Sequence, residues 1–174
     1  MLAWGVLFYA VLGGGALLWI WLRGDDLADL LRSSRCPWDV ALLLGGCSGL
    51  AVVLASDFWV ERFAWSERLQ DQVNALFGPM TIPRAAALAL SSGVAEELLF
   101  RAALLPVVGL WLSSLLFGLL HCGPRLSGWA VFAFLAGLLM GGLFLLTGGV
   151  LAPAGAHVVI NGVQLIRLAG DSPD

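Results

Sequence analysis

Two adjacent carboxylates and a guanidinium stand inside an otherwise apolar stretch, Ala95-Glu96-Glu97-Leu98-Leu99-Phe100-Arg101. Both histidines of the chain lie in two further apolar stretches, Phe117-Gly118-Leu119-Leu120-His121 and His157-Val158-Val159-Ile160-Asn161. Carboxylates and imidazoles are the usual side chains for proton transfer near neutral pH, so acid–base chemistry is the first thing these residues could do. Their spacing separates them into roles. Arg101 follows Glu97 by four residues, so on a helix the two share a face and can pair. Glu96 is five residues from Arg101, about 140° round the helix, and has no local cation. A carboxylate taken out of water without a cation binds a proton more readily, which suits a general base or acid. His157 and Asn161 are four apart and share a face, as do Phe117 and His121, which sets an aromatic wall beside an imidazole.

The composition says what surrounds these groups. Of 174 residues, 60% are hydrophobic and 12% charged, and the mean hydropathy is +0.92. A soluble domain carries about 25% charged residues. A soluble globular enzyme and a disordered chain are therefore excluded. All nine basic residues are Arg and the net charge is −3, so no basic stripe exists for nucleic acid or anionic lipid headgroups. The expected fold is all-α: a polytopic membrane bundle of about six transmembrane helices, forming one domain over 1–174. A buried charge costs on the order of 2.5–3.5 kcal/mol at mid-membrane, so polar groups retained there carry a purpose.

Six runs are long and apolar enough, or nearly so, to span: 2–22, 38–56, 83–104, 107–121, 129–147 and 150–167. The first lacks the positive flank and the small-x-small site of a cleaved signal, and reads as a retained helix. Pro106 marks the turn between the third and fourth runs, and Thr147-Gly148-Gly149 the turn between the fifth and sixth. Segment 57–78 interleaves aromatic and charged residues at helical spacing, as an amphipathic helix lying in the membrane interface would. The arginines lean toward both termini being cytoplasmic. Cys36, Cys47 and Cys122 are odd in number and have no metal-site spacing, so neither a disulfide framework nor a thiolate site is expected.

The catalytic core is expected in 83–167. Glu96 lies eight residues before the end of the third run and His157 seven after the start of the sixth, so both are roughly 10–12 Å from the same membrane face. His121 comes out deeper, at roughly 20 Å, if its helix starts at 107. That helix must tilt or shift for the three groups to meet.

Glu96-Glu97-x-x-x-Arg101, Phe117-x-x-x-His121 and His157-x-x-x-Asn161, in this order on successive membrane helices, resemble the CPBP family. These are the CAAX-processing and bacteriocin-processing intramembrane endopeptidases, also called the Abi group. The resemblance covers about residues 85–165. It implies that Glu96 and His121 activate a water, and that His157 and Asn161 stabilise the oxyanion. It also implies that Glu97 and Arg101, with Phe117 nearby, orient the third helix and Glu96. The implied protein is a multi-pass intramembrane protease of a bacterial-type inner or plasma membrane, a glutamic-type peptide hydrolase. Its expected partners are the lipid bilayer and a membrane-anchored protein or C-terminal-tail peptide, with no nucleic acid. No cofactor is expected. The alternative is Zn2+ held by Glu96, His121 and His157; that would leave Glu97 as the only base, although it is the better partner for Arg101.

Other readings place the chemistry on different residues or dispense with it. A zinc protease of the H-E-x-x-H kind is excluded, because the motif is missing. Gly46-Cys47-Ser48-Gly49 fits the G-x-S-G of a rhomboid-like serine protease, with His157 as base, but leaves Glu96, Arg101 and His121 idle. A transporter or a non-enzymatic immunity protein would also retain intramembrane Glu, His and Arg.

Overall fold

The computed structural model describes residues 2–60, 80–122 and 127–170. All regular elements among them are helical: α1 (Leu2–Arg23), the short α2 (Leu27–Arg32), α3 (Trp38–Val60), α4 (Ile82–Glu97), α5 (Leu105–Leu120), α6 (Ser127–Thr147) and α7 (Leu151–Gly170). A π-helical segment, Leu98–Leu104, joins α4 to α5. The expected interfacial helix at 57–78 falls, beyond Val60, outside the described residues.

Among the described residues, four segments are long and apolar enough to cross a membrane: Leu2–Arg23, Trp38–Asp57, Ile82–Leu120 and Gly128–Thr147. The third is a folded hairpin of two helices. The sixth expected span, α7, has the length but is diluted by His157, Asn161, Gln164 and Arg167. The protein is thus a helical membrane bundle. Its outer faces are apolar, with Trp4, Phe8, Val11, Leu43, Leu54, Trp111 and Leu146 among the exposed side chains, as contact with lipid tails requires.

The hairpin turn differs from expectation. Pro106 does not reverse the chain; it lies in the first turn of α5, where a missing N–H is tolerated. The reversal occurs at Gly109, whose φ of 81° and ψ of 169° break the helix. That backbone conformation strongly favours glycine. Proline still leaves a mark, because it cannot donate to the carbonyl of Ala102 four residues back. The Arg23 guanidinium, at the end of α1, replaces that donor. It bonds the Ala102 carbonyl at 2.8 Å and also that of Ala103. The Phe100 carbonyl accepts from the Leu105 N–H, the five-residue spacing of a π turn, and from Ser113 Oγ at 2.8 Å.

The helices approach closely where side chains are smallest. α7 is central and packs on α3, α4 and α6, while α1 packs on α4 and α5 on α6. Gly45 and Gly49 of α3 face Ala152 and Ala156 of α7, one helical turn apart on each side. A Cβ at Gly45 would lie 2.2 Å from the Ala152 carbonyl oxygen, and one at Gly49 2.6 Å from that of Ala156. With lipid outside, helix association has little hydrophobic drive and depends on such close van der Waals packing. Gly45→Ala is therefore expected to destabilise the bundle by about 1–3 kcal/mol. Gly46→Ala, whose Cβ meets nothing within 4 Å, should be neutral. Thermal unfolding of the two variants in the same detergent makes the comparison.

Candidate active site

Moving the reversal from Pro106 to Gly109 brings the hairpin into register. Glu96 is thirteen residues before Gly109 and His121 twelve after it. At 1.5 Å per residue both lie roughly 18–20 Å along their helices from the turn. The depth mismatch expected from a turn at Pro106 is thereby removed. His121 is the C-cap of α5, while His157 lies in α7, which packs against α4. Gly93 permits that packing, since a Cβ there would lie 2.7 Å from Val158 Cγ2.

The three groups meet at one atom. Glu96 Oε2 is 3.8 Å from His121 Nε2 and 3.9 Å from His157 Nε2. It is buried and has no hydrogen-bond partner among the described residues. Groups about 3.8 Å apart are too far for a direct hydrogen bond, but each can bond one shared water at about 2.8 Å. The site is enclosed on the Glu96 and His157 side, whose side chains are 11% and 5% exposed. It opens at His121, which is 26% exposed.

Both imidazoles are held by their other nitrogens. His121 Nδ1 lies 2.8 Å from the Phe117 carbonyl, which can only accept, so Nδ1 carries the proton. In the neutral ring, Nε2 then presents its lone pair toward Glu96. His157 Nδ1 lies 2.8 Å from Glu97 Oε1. Against an ionised Glu97 this nitrogen also donates, so His157 Nε2 can donate only when the ring is an imidazolium. Glu97 in turn is fully buried and 3.0 Å from Arg101 Nε. The expected pair therefore exists, extended to a third member: Arg101, Glu97 and His157 form a chain across two helices.

Arg101 is itself buried among partners suited to a desolvated guanidinium. It lies 4.7 Å from the centre of the Phe117 ring and donates to the Gly137 carbonyl at 3.4 Å. Phe117 is the shared wall of the site, with ring contacts to His121 at 4.5 Å and His157 at 5.9 Å. Two carboxylates face one guanidinium here, so the cluster carries one negative charge unless a further proton is bound. Glu96 and the two imidazoles are where that proton can reside.

Asn161 lies one turn along α7 from His157, and its amide nitrogen donates to Ser92 Oγ at 3.0 Å. Ser92 was not singled out by the sequence, although it precedes Glu96 by one helical turn. One aromatic residue was also missed: Trp129 meets His121 edge-on at 6.2 Å and stacks on Phe132 at 5.2 Å.

Ser48 is not brought into this cluster. The described polar contacts of His157 go to Glu97 and Glu96, and the neighbouring Gly49 serves the packing of α3 on α7. As for zinc, ligand atoms on a tetrahedral ion lie about 3.3 Å apart. The Glu96–His121 and Glu96–His157 separations are wider, and no group of three or more His, Cys, Asp or Glu among the described residues has the geometry to hold a metal ion.

The family model for type II CAAX prenyl endopeptidase Rce1-like proteins matches residues 78–163, the stretch that contains Glu96, His121, His157 and Asn161. The uncharacterised protein YpbD of Bacillus subtilis (strain 168) is 32% identical over 146 residues, covering 80% of this chain and 75% of its own. No solved structure matches the chain. The chain belongs to the Rce1-like family of CAAX prenyl endopeptidases, a family of membrane-embedded proteases.

Proposed function

We propose that this chain is an intramembrane endopeptidase that hydrolyses a peptide bond in a membrane-anchored protein or C-terminal-tail peptide, using a water activated by Glu96 and His121. One observation carries the reading: Glu96 Oε2, buried and unpartnered, faces the Nε2 atoms of both imidazoles at 3.8 and 3.9 Å. A water bonded to this carboxylate and to the lone pair of His121 loses a proton to them as its oxygen attacks the scissile carbonyl carbon. The tetrahedral oxyanion then forms beside His157. An imidazolium there, supported by Glu97, donates Nε2–H to it, and Asn161 is the second donor in this reading. The C–N bond breaks as the proton held by Glu96 and His121 passes to the leaving nitrogen. In this reading the residues need no metal. The site belongs in a bacterial-type plasma membrane, with the substrate entering on the side of His121.

The test uses the purified full chain in liposomes with a membrane-anchored reporter peptide, its products mapped by mass. Cleavage is expected to persist in 1,10-phenanthroline and EDTA, and Ser48→Ala should cleave at the wild-type rate. Loss of cleavage in the chelators would return the metal reading, and loss with Ser48→Ala the serine-protease one. Absence of cleavage together with proton flux would make the protein a transporter.

A further inference from the structure

The contact between α4 and α7 is built in steps of one turn. A Cβ at Gly93 would meet Val158 Cγ2 at 2.7 Å, and one at Gly162 would meet Ala89 Cβ at 3.8 Å. Four residues back along α4 therefore match four residues forward along α7, so the two helices run antiparallel and in step. The polar pairs across the same interface keep that step. Glu96 Oε2 lies 3.9 Å from His157 Nε2, and one turn away Asn161 Nδ2 lies 3.0 Å from Ser92 Oγ. At 1.5 Å per residue the second pair stands about 6 Å along the helices from the first. Asn161 thus flanks the cluster, and Ser92 is the α4 residue that meets it there.

The direction of the Ser92 hydroxyl fixes the direction of the amide. Ser92 is 4% exposed, and its single proton points to the Ala89 carbonyl at 3.4 Å. Toward α7 its oxygen then offers lone pairs, so it accepts. A carboxamide meets such an oxygen with its NH2 end, which turns Asn161 Nδ2 toward α4 and Oδ1 away. Nδ2 carries two protons. One goes to Ser92, and the second is left for a further acceptor. Neighbouring Ser91 makes the same kind of bond to its own helix, to the Ala87 and Leu88 carbonyls at 2.8 and 3.2 Å. It stands about 100° round α4 from Ser92 and is the natural control.

We infer that Ser92 is a positioning residue for Asn161: its oxygen holds one N–H of the amide, so that the other is presented to the oxyanion beside His157. Without that oxygen the amide turns about its terminal torsion, which is broad and roughly two-fold. Half a turn exchanges Nδ2 for Oδ1 and sets a lone pair where negative charge develops, which repels the oxyanion instead of stabilising it. The inference rests on the peptidase reading given above, with Asn161 as a donor, and the experiment separates the levels.

The experiment measures steady-state cleavage of the reporter peptide by full-length Ser92→Ala, Asn161→Ala, their double variant, Ser91→Ala and Glu96→Gln in liposomes. Ser92→Ala removes one oxygen atom and should lower kcat about 3- to 10-fold with KM unchanged, the size of a lost neutral hydrogen bond. Asn161→Ala removes the donor itself and should lower kcat about 10²- to 10³-fold. Because Ser92 acts through Asn161, adding Ser92→Ala to Asn161→Ala should lower kcat no further, a coupling that a purely structural role does not produce. Ser91→Ala should match wild type. A kcat within about twofold of wild type in Ser92→Ala overturns the inference, as does a rise in KM alone. Losses that multiply in the double variant also overturn it, because Ser92 would then act elsewhere. So does an equal loss in Ser91→Ala, since the helix and not the amide would be responsible, or a wild-type rate in Asn161→Ala. Glu96→Gln distinguishes the levels. If it is as active as wild type, the peptidase reading itself has failed; if it is inactive while Ser92→Ala is normal, only the role of Ser92 has.

Discussion

Glu96→Gln is expected to lower kcat for peptide cleavage by about 10²- to 10⁴-fold, the range in which a positioned general base contributes. The substitution preserves the volume and planar shape of the side chain, so His121 and His157 remain where they are. What disappears is the capacity to accept a proton from the attacking water. KM should change little, because the carboxylate acts on the water and not on the remote parts of the substrate. Stability should not fall. The carboxylate is buried with no cation on its own face of α4, and replacing a desolvated charge by a neutral group removes an unfavourable term. Steady-state kinetics and thermal unfolding on one preparation check both halves. A variant within tenfold of wild type would remove Glu96 from the chemistry.

Arg101→Met should be the most destabilising single substitution in the site. Arg101 and Glu97 are 1% and 0% exposed and 3.0 Å apart. Removing the guanidinium leaves a fully buried carboxylate with only an imidazole to answer it, at a cost of about 3–5 kcal/mol. That corresponds to a fall of roughly 10 °C in the unfolding midpoint for a chain of this size. The double variant Glu97→Gln/Arg101→Met removes both charges and should recover most of the loss, because replacing a whole buried pair is far less costly than breaking it. Its activity should nevertheless stay well below wild type. A neutral amide at position 97 no longer favours the imidazolium at His157, and the donor to the oxyanion is lost. Differential scanning fluorimetry and cleavage rates, read together, distinguish the structural from the chemical share of this ion pair. An Arg101→Met protein as stable as wild type would show that the pair carries no structural weight.

Much of the site was legible because its motifs are helix-local. A separation of four residues places two side chains on one face whatever the surrounding fold, which is why the Glu97–Arg101 pair and the grouping of Phe117 with His121 could be read before any coordinates. The same rule left Glu96 pointing elsewhere, and it does. Less legible was the level at which the helices meet. Pro106 reads as the turn because proline is a strong helix breaker, yet in the first turn of α5 it breaks nothing and only frees a carbonyl that Arg23 takes up. The actual turn depends on one glycine at positive φ among twenty-two glycines, and composition does not mark which. Trp129 was not legible for a related reason: an aromatic residue in a membrane helix reads the same whether it faces headgroups, lipid or an imidazole.

By itself the sequence determined the membrane setting, the helical architecture and the three groups of reactive side chains, because hydropathy and the 3.6-residue period act within single segments. Only the tertiary structure decided that Glu97 joins His157 as well as Arg101, and that Glu96 and His121 stand at one depth. Those are relations between helices. They are set by where small residues let backbones approach and by where the hairpin turns, and both depend on partners far away in the chain.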